Sequence, residues 1–379
     1  MQKKLLIYET THYETLPAIV ELALEKFDQV TIYVVSPEIP ESCNPFPVFK
    51  SNKIKWVIKP GDQANWSFIK QLFQELTIDN YSHLLINSLD HNLYYFSMQL
   101  SGVSGDIHTA LNVHTIHDYT TTRYNSILNI SESIAKKRFY RMIKNHRVLA
   151  PAMPAYLRSR LKDIEVEYIP GMFYQPFPSI DFTKSPFQIV IPGAVEQKRR
   201  EYEIIPQVVS HLAKKIGSEN KIELVILGNS RNAYASQLER EIREVLSPSI
   251  SLVIFETDVA YNTYSSWYSA ANIIWAPVRL NMESIRGVSE INGLSNSAGF
   301  IVDFIHYAHP SLLPAAIKFD DHLDQLFFRY HNPADAADQL LGFINDPGIL
   351  QQRESEIRAK IASFTAEKFR PAFKRLMNL

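Results

Sequence analysis

The stretch Gly293-Leu-Ser-Asn-Ser-Ala-Gly299 runs into an apolar segment, residues 300–307, and then into His309-Pro310-Ser-Leu-Leu-Pro314. Small hydroxylated residues directly before an amphipathic run are what a helix N-terminus needs if its free backbone N–H groups are to face an anion. The proline and apolar triplet that follow mark a return into a buried strand. The stretch reads as a phosphate cradle at Ser295, Asn296 and Ser297, in the second half of a two-domain protein. An ordinary N-cap uses the same geometry.

On either side of this stretch, strand and helix patterns alternate. Residues 5–8, 30–35, 84–87 and 111–116 are apolar or β-branched runs of strand length, and residues 16–24 have helical spacing. Over 166–186 the pattern breaks into proline, aromatic and polar residues, and it restarts with strands at 188–191, 224–227, 252–255, 273–275 and 311–313. Such alternation predicts parallel strands with crossover helices. The expected fold class is α/β, two Rossmann-like doubly wound domains facing across a cleft. The first domain is expected over residues 1–170 and the second over 171–355, with a C-terminal helix over 356–379 packing back toward the first domain.

Composition fits this picture. A chain of 379 residues is too long for one compact core, and 46% apolar with 21% charged residues is globular. Thirty-nine basic against forty acidic residues leave no global field to steer the protein onto nucleic acid, so no nucleic-acid partner is expected and any basic site is local. The single cysteine, Cys43, cannot form an internal disulfide, and the apolar part of Met1–Tyr8 is too short for a signal peptide or a span. These features predict a cytoplasmic protein.

In two doubly wound domains the ligand sits at the carboxyl ends of the strands. After the strand at 188–191 come Gly193 and the triplet Lys198, Arg199 and Arg200, three cations able to neutralise a diphosphate. The bland reading is a solvated helix start. Gly228 ends the next strand, and Glu256-Thr257-Asp258 follows the one after. In the first half, residues 111–118 place His114, His117 and Asp118 at a strand's end. His117, next to a loop, is the candidate to hydrogen-bond a ligand hydroxyl, whereas His114 reads as a satisfied histidine within the sheet. Glu9, His12 and Glu14, after the first strand, suit a polyhydroxylated acceptor or a capped turn equally. No His/Cys/Asp cluster has metal-ligand spacing, so no metal is expected. Residues 136–144 put cations on one side and Phe139, Met142 and Ile143 on another, as a surface helix or an interfacial membrane helix does.

The Pro192-Gly193 turn with its cations, the strand ending at Gly228, Ala271-Asn-Ile-Ile-Trp-Ala-Pro277, the 295–314 segment and His117-Asp118 together resemble the GT-B glycosyltransferases. The likeness is to the retaining nucleotide-sugar family that includes bacterial mannosyl- and galactosyltransferases. The resemblance implies transfer of a sugar from a nucleotide diphosphate sugar to a hydroxyl of a saccharide or glycolipid, with retention. It implies no cofactor beyond the donor, and peripheral contact with the inner face of a membrane for a lipid-linked acceptor. It places Gly193, Lys198, Arg199, Arg200, Gly228, Thr257, Ser295, Asn296 and Ser297 at the donor nucleotide. His117, Arg199 and Asp303 then stand at the reacting centre, and Glu9, His12, Glu14 and Asp118 at the acceptor. In that family two glutamates flanking seven residues hold sugar and ribose hydroxyls. Here the second position is Asp303 and the first is Ser295, with Glu290 five residues too early. That departure leaves two rivals: a nucleotide-sugar epimerase of the same fold, and a non-catalytic transferase-like binding subunit.

Overall fold

The computed structural model describes residues 3–379 apart from 91, 104, 106, 285 and 298. The first half builds β1 (Lys4–Glu9), β2 (Gln29–Val34), β3 (Ile54–Ile58), β4 (His83–Ile86), β5 (His108–Asn112), β6 (Asn145–Val148) and β7 (Glu165–Tyr168). They pair in parallel in the order β3-β2-β1-β4-β5-β6-β7. Leu5, Leu6 and Ile7 are buried on both faces of β1, as strands covered by crossover helices must be. The first of these helices, Leu16–Leu24, opens with Pro17 in its first turn, where no N–H is needed.

The second half repeats the plan with β8 (Phe187–Pro192), β9 (Ile222–Leu227), β10 (Ile250–Ile254) and β11 (Ile273–Trp275). A short hairpin follows, β12 (Asn281–Glu283) and β13 (Ser289–Ile291), and then β14 (Ser311–Pro314) and β15 (Phe328–Tyr330). The sheet order is β10-β9-β8-β11-β14-β15, again parallel. In each sheet the winding reverses at one place, between β1 and β4 and between β8 and β11, and those two carboxyl-end crevices are where such sheets take ligands.

Several details differ from the sequence expectation. The strand expected over 111–116 ends at Asn112, and Ile116 already starts the helix Ile116–Thr120. Strands β3, β6, β7 and β15 and the hairpin carry too many polar residues to read as apolar runs. The boundary expected at 355/356 falls inside the helix Gly348–Ile361. The last helix, Ala366–Leu376, crosses to the first domain: Arg370 pairs with Glu25 and Arg375 with Glu167, while His83 and His108 donate from Nε2 to the Met377 and Leu376 carbonyls at 2.9 Å. One apolar core runs through both halves, uniting Leu5 and Ile7 with Phe300, Phe304 and Phe373. A second core belongs to the C-terminal sheet and a third to the N-terminal sheet.

Candidate functional site

At the β8/β11 crevice the chain turns at Gly193, whose φ of +100° is open to glycine at little cost. The Arg200 guanidinium lies over this glycine, so closely that a β-carbon there would collide with it. Gly228 presses against the Gly193 backbone from the other side. Arg200 Nη1 is buried and, among the described residues, has no hydrogen-bond partner. The other two cations face elsewhere. Lys198 pairs with Glu283 at 2.9 Å, and Arg199 with Glu196 at 3.0 Å, both at the surface. The triplet expected to act together is therefore split, because consecutive residues of an extended turn point in different directions. Thr257 is exposed in the loop after β10, where Asn229 donates to Asp258 at 3.1 Å.

The helix after the small-residue stretch spans Gly299–Tyr307. Ala298 lies outside the described residues. The expected cradle is redirected here too. Ser295 is buried, donates to Glu290 Oε2 at 2.5 Å and accepts from the Ile291 amide, so its hydroxyl is spent inside the protein. Asn296 donates to Asn292 Oδ1 at 2.6 Å, and Ser297 is buried. Among the described residues, nothing beyond its chain neighbours and its own helix lies within 4 Å of a β-carbon placed on Gly299, and no side chain accepts from the Gly299 or Phe300 amides. Asp303 stands one turn on, on the same face. Burial pushes its carboxyl up to about 7, although the Tyr264 hydroxyl donates to Oδ2 at 2.7 Å and Arg200 draws it down; Glu14, from the first domain, raises it. Arg200 and Glu14 are thus the two charges that the Asp303 carboxyl feels.

On the first-domain side the β1 and β4 loops are locked together by Glu9. It is fully buried and accepts from the Thr11 and His12 amides, the Ser88 hydroxyl and the Asn87 side chain. A carboxylate so occupied is a loop clamp, which removes it from the acceptor candidates. His12 and Glu14 do face the cleft, paired at 2.9 Å with side chains 41% and 45% exposed. Burial works against charge on His12, but Glu14, Glu9 and Asp90 outweigh it and push the ring up to about 9. His12 stacks on His114 at 4.0 Å, and burial holds His114 well below the usual histidine range. Its Nε2 lies 2.8 Å from the Asn87 carbonyl, which can only accept. Asn112 Nδ2 lies 3.0 Å from the same nitrogen.

His114, expected within the sheet, lies beyond the end of β5 and against the His12 ring. The His117 ring is committed to Ser289 O at 2.7 Å and the Tyr156 hydroxyl at 2.6 Å. Asp118 is committed as well, to Arg286 at 3.2 Å and Lys136 at 3.4 Å. Glu290, the stray acid, turns out to cap the helix Ile116–Thr120 from the other domain, accepting from the His117 and Asp118 amides at 3.2 and 2.7 Å. Arg147 had no signal in the sequence. It is fully buried and donates to Thr15, Ile169 and Pro170 carbonyls and to Asn87 Oδ1, which fixes the β1 loop and the linker together. Among the described residues no group of three or more His, Cys, Asp or Glu is placed to hold a metal ion, and no helix is long and apolar enough to cross a membrane.

No protein-family model and no curated protein sequence matches the chain. Solved structures do. A glycosyltransferase from Rickettsia africae superimposes with a TM-score of 0.66 over 99% of this chain and 98% of its own, at 11% identity. HepE from Anabaena, solved with UDP-glucose, gives 0.66 over 99% of both chains at 12% identity. A UDP-GlcNAc 2-epimerase from Neisseria meningitidis, bound to UDP-GlcNAc, gives 0.59 over 98% of this chain and 100% of its own at 12% identity. The chain has the GT-B fold, two Rossmann-like domains facing across a cleft.

Proposed function

We propose that this protein transfers a glycosyl group from a nucleotide diphosphate sugar, most simply a UDP-sugar, to a hydroxyl of a saccharide or glycolipid. The observation that carries the reading is Arg200: a buried guanidinium nitrogen without a partner among the described residues, over a positive-φ glycine in the switch-point crevice. A buried donor left unpaired costs about 1–3 kcal/mol, so the site is built for an anion that arrives with the ligand. Arg200 and the first amides of the helix Gly299–Tyr307 would hold the diphosphate and stabilise the charge that develops on it as the sugar leaves. In this reading the charge is met by protein groups, without a metal.

Asp303 would take a sugar hydroxyl, with Tyr264 orienting its carboxyl. The His114 ring would bind a hydroxyl near the reacting carbon, and the His12–Glu14 pair would hold the acceptor. Retention of anomeric configuration is part of the proposal through the family resemblance. A second reading, a nucleotide-sugar epimerase, draws on the four ionisable groups His12, Glu14, His114 and Asp303 around one crevice and on the similarity to the Neisseria enzyme.

Calorimetric titration with UDP-, GDP- and ADP-sugars tests the donor, followed by product analysis with and without saccharide acceptors. The transferase reading expects one nucleotide to be preferred, with turnover only when acceptor is present. Acceptor-free conversion of the sugar would establish the epimerase instead, and no binding of any nucleotide sugar would remove both.

A further inference from the structure

Where the turn of the β12–β13 hairpin meets the first domain lies a cavity of about 160 Å³. A single water needs only roughly 10–15 Å³, so a polyatomic ligand fits. The wall carries three cations, Arg123, Lys136 and Arg286, against two acids, Asp118 and Glu132. Both acids are matched: Asp118 pairs with Arg286 at 3.2 Å and with Lys136 at 3.4 Å, and Glu132 lies 3.7 Å from Arg286. Arg123 is the surplus charge. It donates to the Arg286 and Gly287 carbonyls at 2.7 and 2.9 Å, and among the described residues no carboxylate pairs with it. A guanidinium has five N–H groups. Arg123 spends two of them on those carbonyls and Arg286 spends two on Asp118 and the Asp90 carbonyl, so each fork keeps three without a hydrogen-bond partner among the described residues. Burial holds the Lys136 ammonium below the usual lysine range; Asp118 opposes this and Arg286 adds to it. The wall is short of one negative charge.

We propose that this cavity binds an oxyanion, the carboxylate or phosphate of a small soluble ligand, between the Arg123 and Arg286 guanidinium groups. Two planar forks match the paired oxygens of either group, and the wall includes the Lys136 and Asp118 side chains, only 6% and 10% exposed, which keep water away from the contact. A neutral sugar would leave the surplus charge unanswered, and a metal ion would add to it. Arg123 belongs to the first domain and Arg286 to the hairpin of the second, and each already reaches across. An anion held by both would add a further tie between the domains. One consequence rests on the transferase reading. Arg286 donates to the Asp90 carbonyl, and Asp90 Oδ2 accepts from the Thr10 hydroxyl at 3.1 Å, in the loop that carries His12 and Glu14. A saccharide whose acidic group sat in the cavity would extend toward that pair, so the acceptor would be an acidic sugar, a hexuronate or a sugar phosphate.

Inorganic phosphate also suits the Arg200 crevice, so the test is made on the full chain carrying Arg200→Ala. Calorimetric titration with phosphate, glucuronate and glucose at low ionic strength should show both anions binding and glucose not, and either anion should raise the melting temperature. Adding Arg123→Gln should weaken anion binding about tenfold or more. So should Thr121→Glu, which sets a carboxylate on the wall while keeping every cation. Glucuronate at least tenfold tighter than phosphate would identify an acidic sugar as the ligand; phosphate as tight or tighter would identify a free oxyanion and remove the acidic acceptor. No anion binding in Arg200→Ala, or equal binding with and without the two cavity substitutions, overturns the proposal. Anion binding that survives Arg200→Ala, in a protein whose parent form binds no nucleotide sugar, would leave the cavity assignment standing and remove the transferase reading alone.

Discussion

Arg200 and its two neighbours carry the same charge and have opposite expected consequences. The Lys198–Glu283 and Arg199–Glu196 pairs are exposed, and such pairs contribute about 0–1 kcal/mol. Lys198→Ala and Arg199→Ala should therefore change neither melting temperature nor donor affinity measurably. Arg200→Ala removes an unpaired buried donor, so it should leave stability equal or higher while weakening nucleotide-sugar binding by about 10- to 100-fold, read by calorimetry beside a melting curve. Asp303 gives a pH signature. Its carboxyl is raised to about 7 by burial, so between the unfolded value near 3.8 and 7 the folded protein holds the extra proton. The stability contributed by that protonation is complete at low pH and declines as pH rises to 7. Asp303→Asn should escape the decline: its unfolding free energy relative to the parent should rise by roughly 2–4 kcal/mol from pH 4 to 7 and stay level above. A difference that is flat across this range would contradict the assignment. The sequence offered Arg200 through its place after a strand-ending glycine, and Asp303 through the motif of the family it resembles. It favoured His117 over His114, because the partners that set each ring, Ser289 and Asn87, lie far away in the chain.

Among the elements, the β12–β13 hairpin links the domains through Glu290, beside the Ser289 carbonyl and Arg286. Glu290 is fully buried, and burial raises its carboxyl while the Ser295 hydroxyl and the Asp118 and His117 amides lower it. Glu290→Ala would leave those donors unpaired, for an expected loss of about 2–4 kcal/mol in denaturant unfolding, and Glu290→Gln should recover part of it by keeping one acceptor oxygen. The C-terminal helix separates charge from packing. Phe373 is fully buried within the shared core, so Phe373→Ala should cost about 3–5 kcal/mol, whereas Arg370→Ala with Arg375→Ala should leave the unfolding curve nearly where it was. Strands with unbroken apolar runs, such as β1, β8 and β9, were legible because parallel strands are buried on both faces. β6 was not: His146 and Arg147 are buried there against partners that only the folded chain supplies.

The two halves were legible in the sequence as repeats of one alternation, and the crevices followed from the general rule for doubly wound sheets. Their attachment was not, since it depends on the linker, the hairpin and the last helix meeting in three dimensions. Gly171 shows how tight that meeting is: a β-carbon there would come within 2.9 Å of Val302 and 3.4 Å of the Thr15 backbone. With one apolar core running through both domains, scanning calorimetry should give a single transition with equal calorimetric and van't Hoff enthalpies, rather than two separable peaks. The account stands on where the diphosphate goes, and a crystal structure of the protein with UDP bound reads that position. Phosphate oxygens within hydrogen-bond reach of the Arg200 guanidinium and of the Gly299 and Phe300 amides are the predicted result. UDP seated elsewhere, with Arg200 Nη1 still unpartnered, would contradict it.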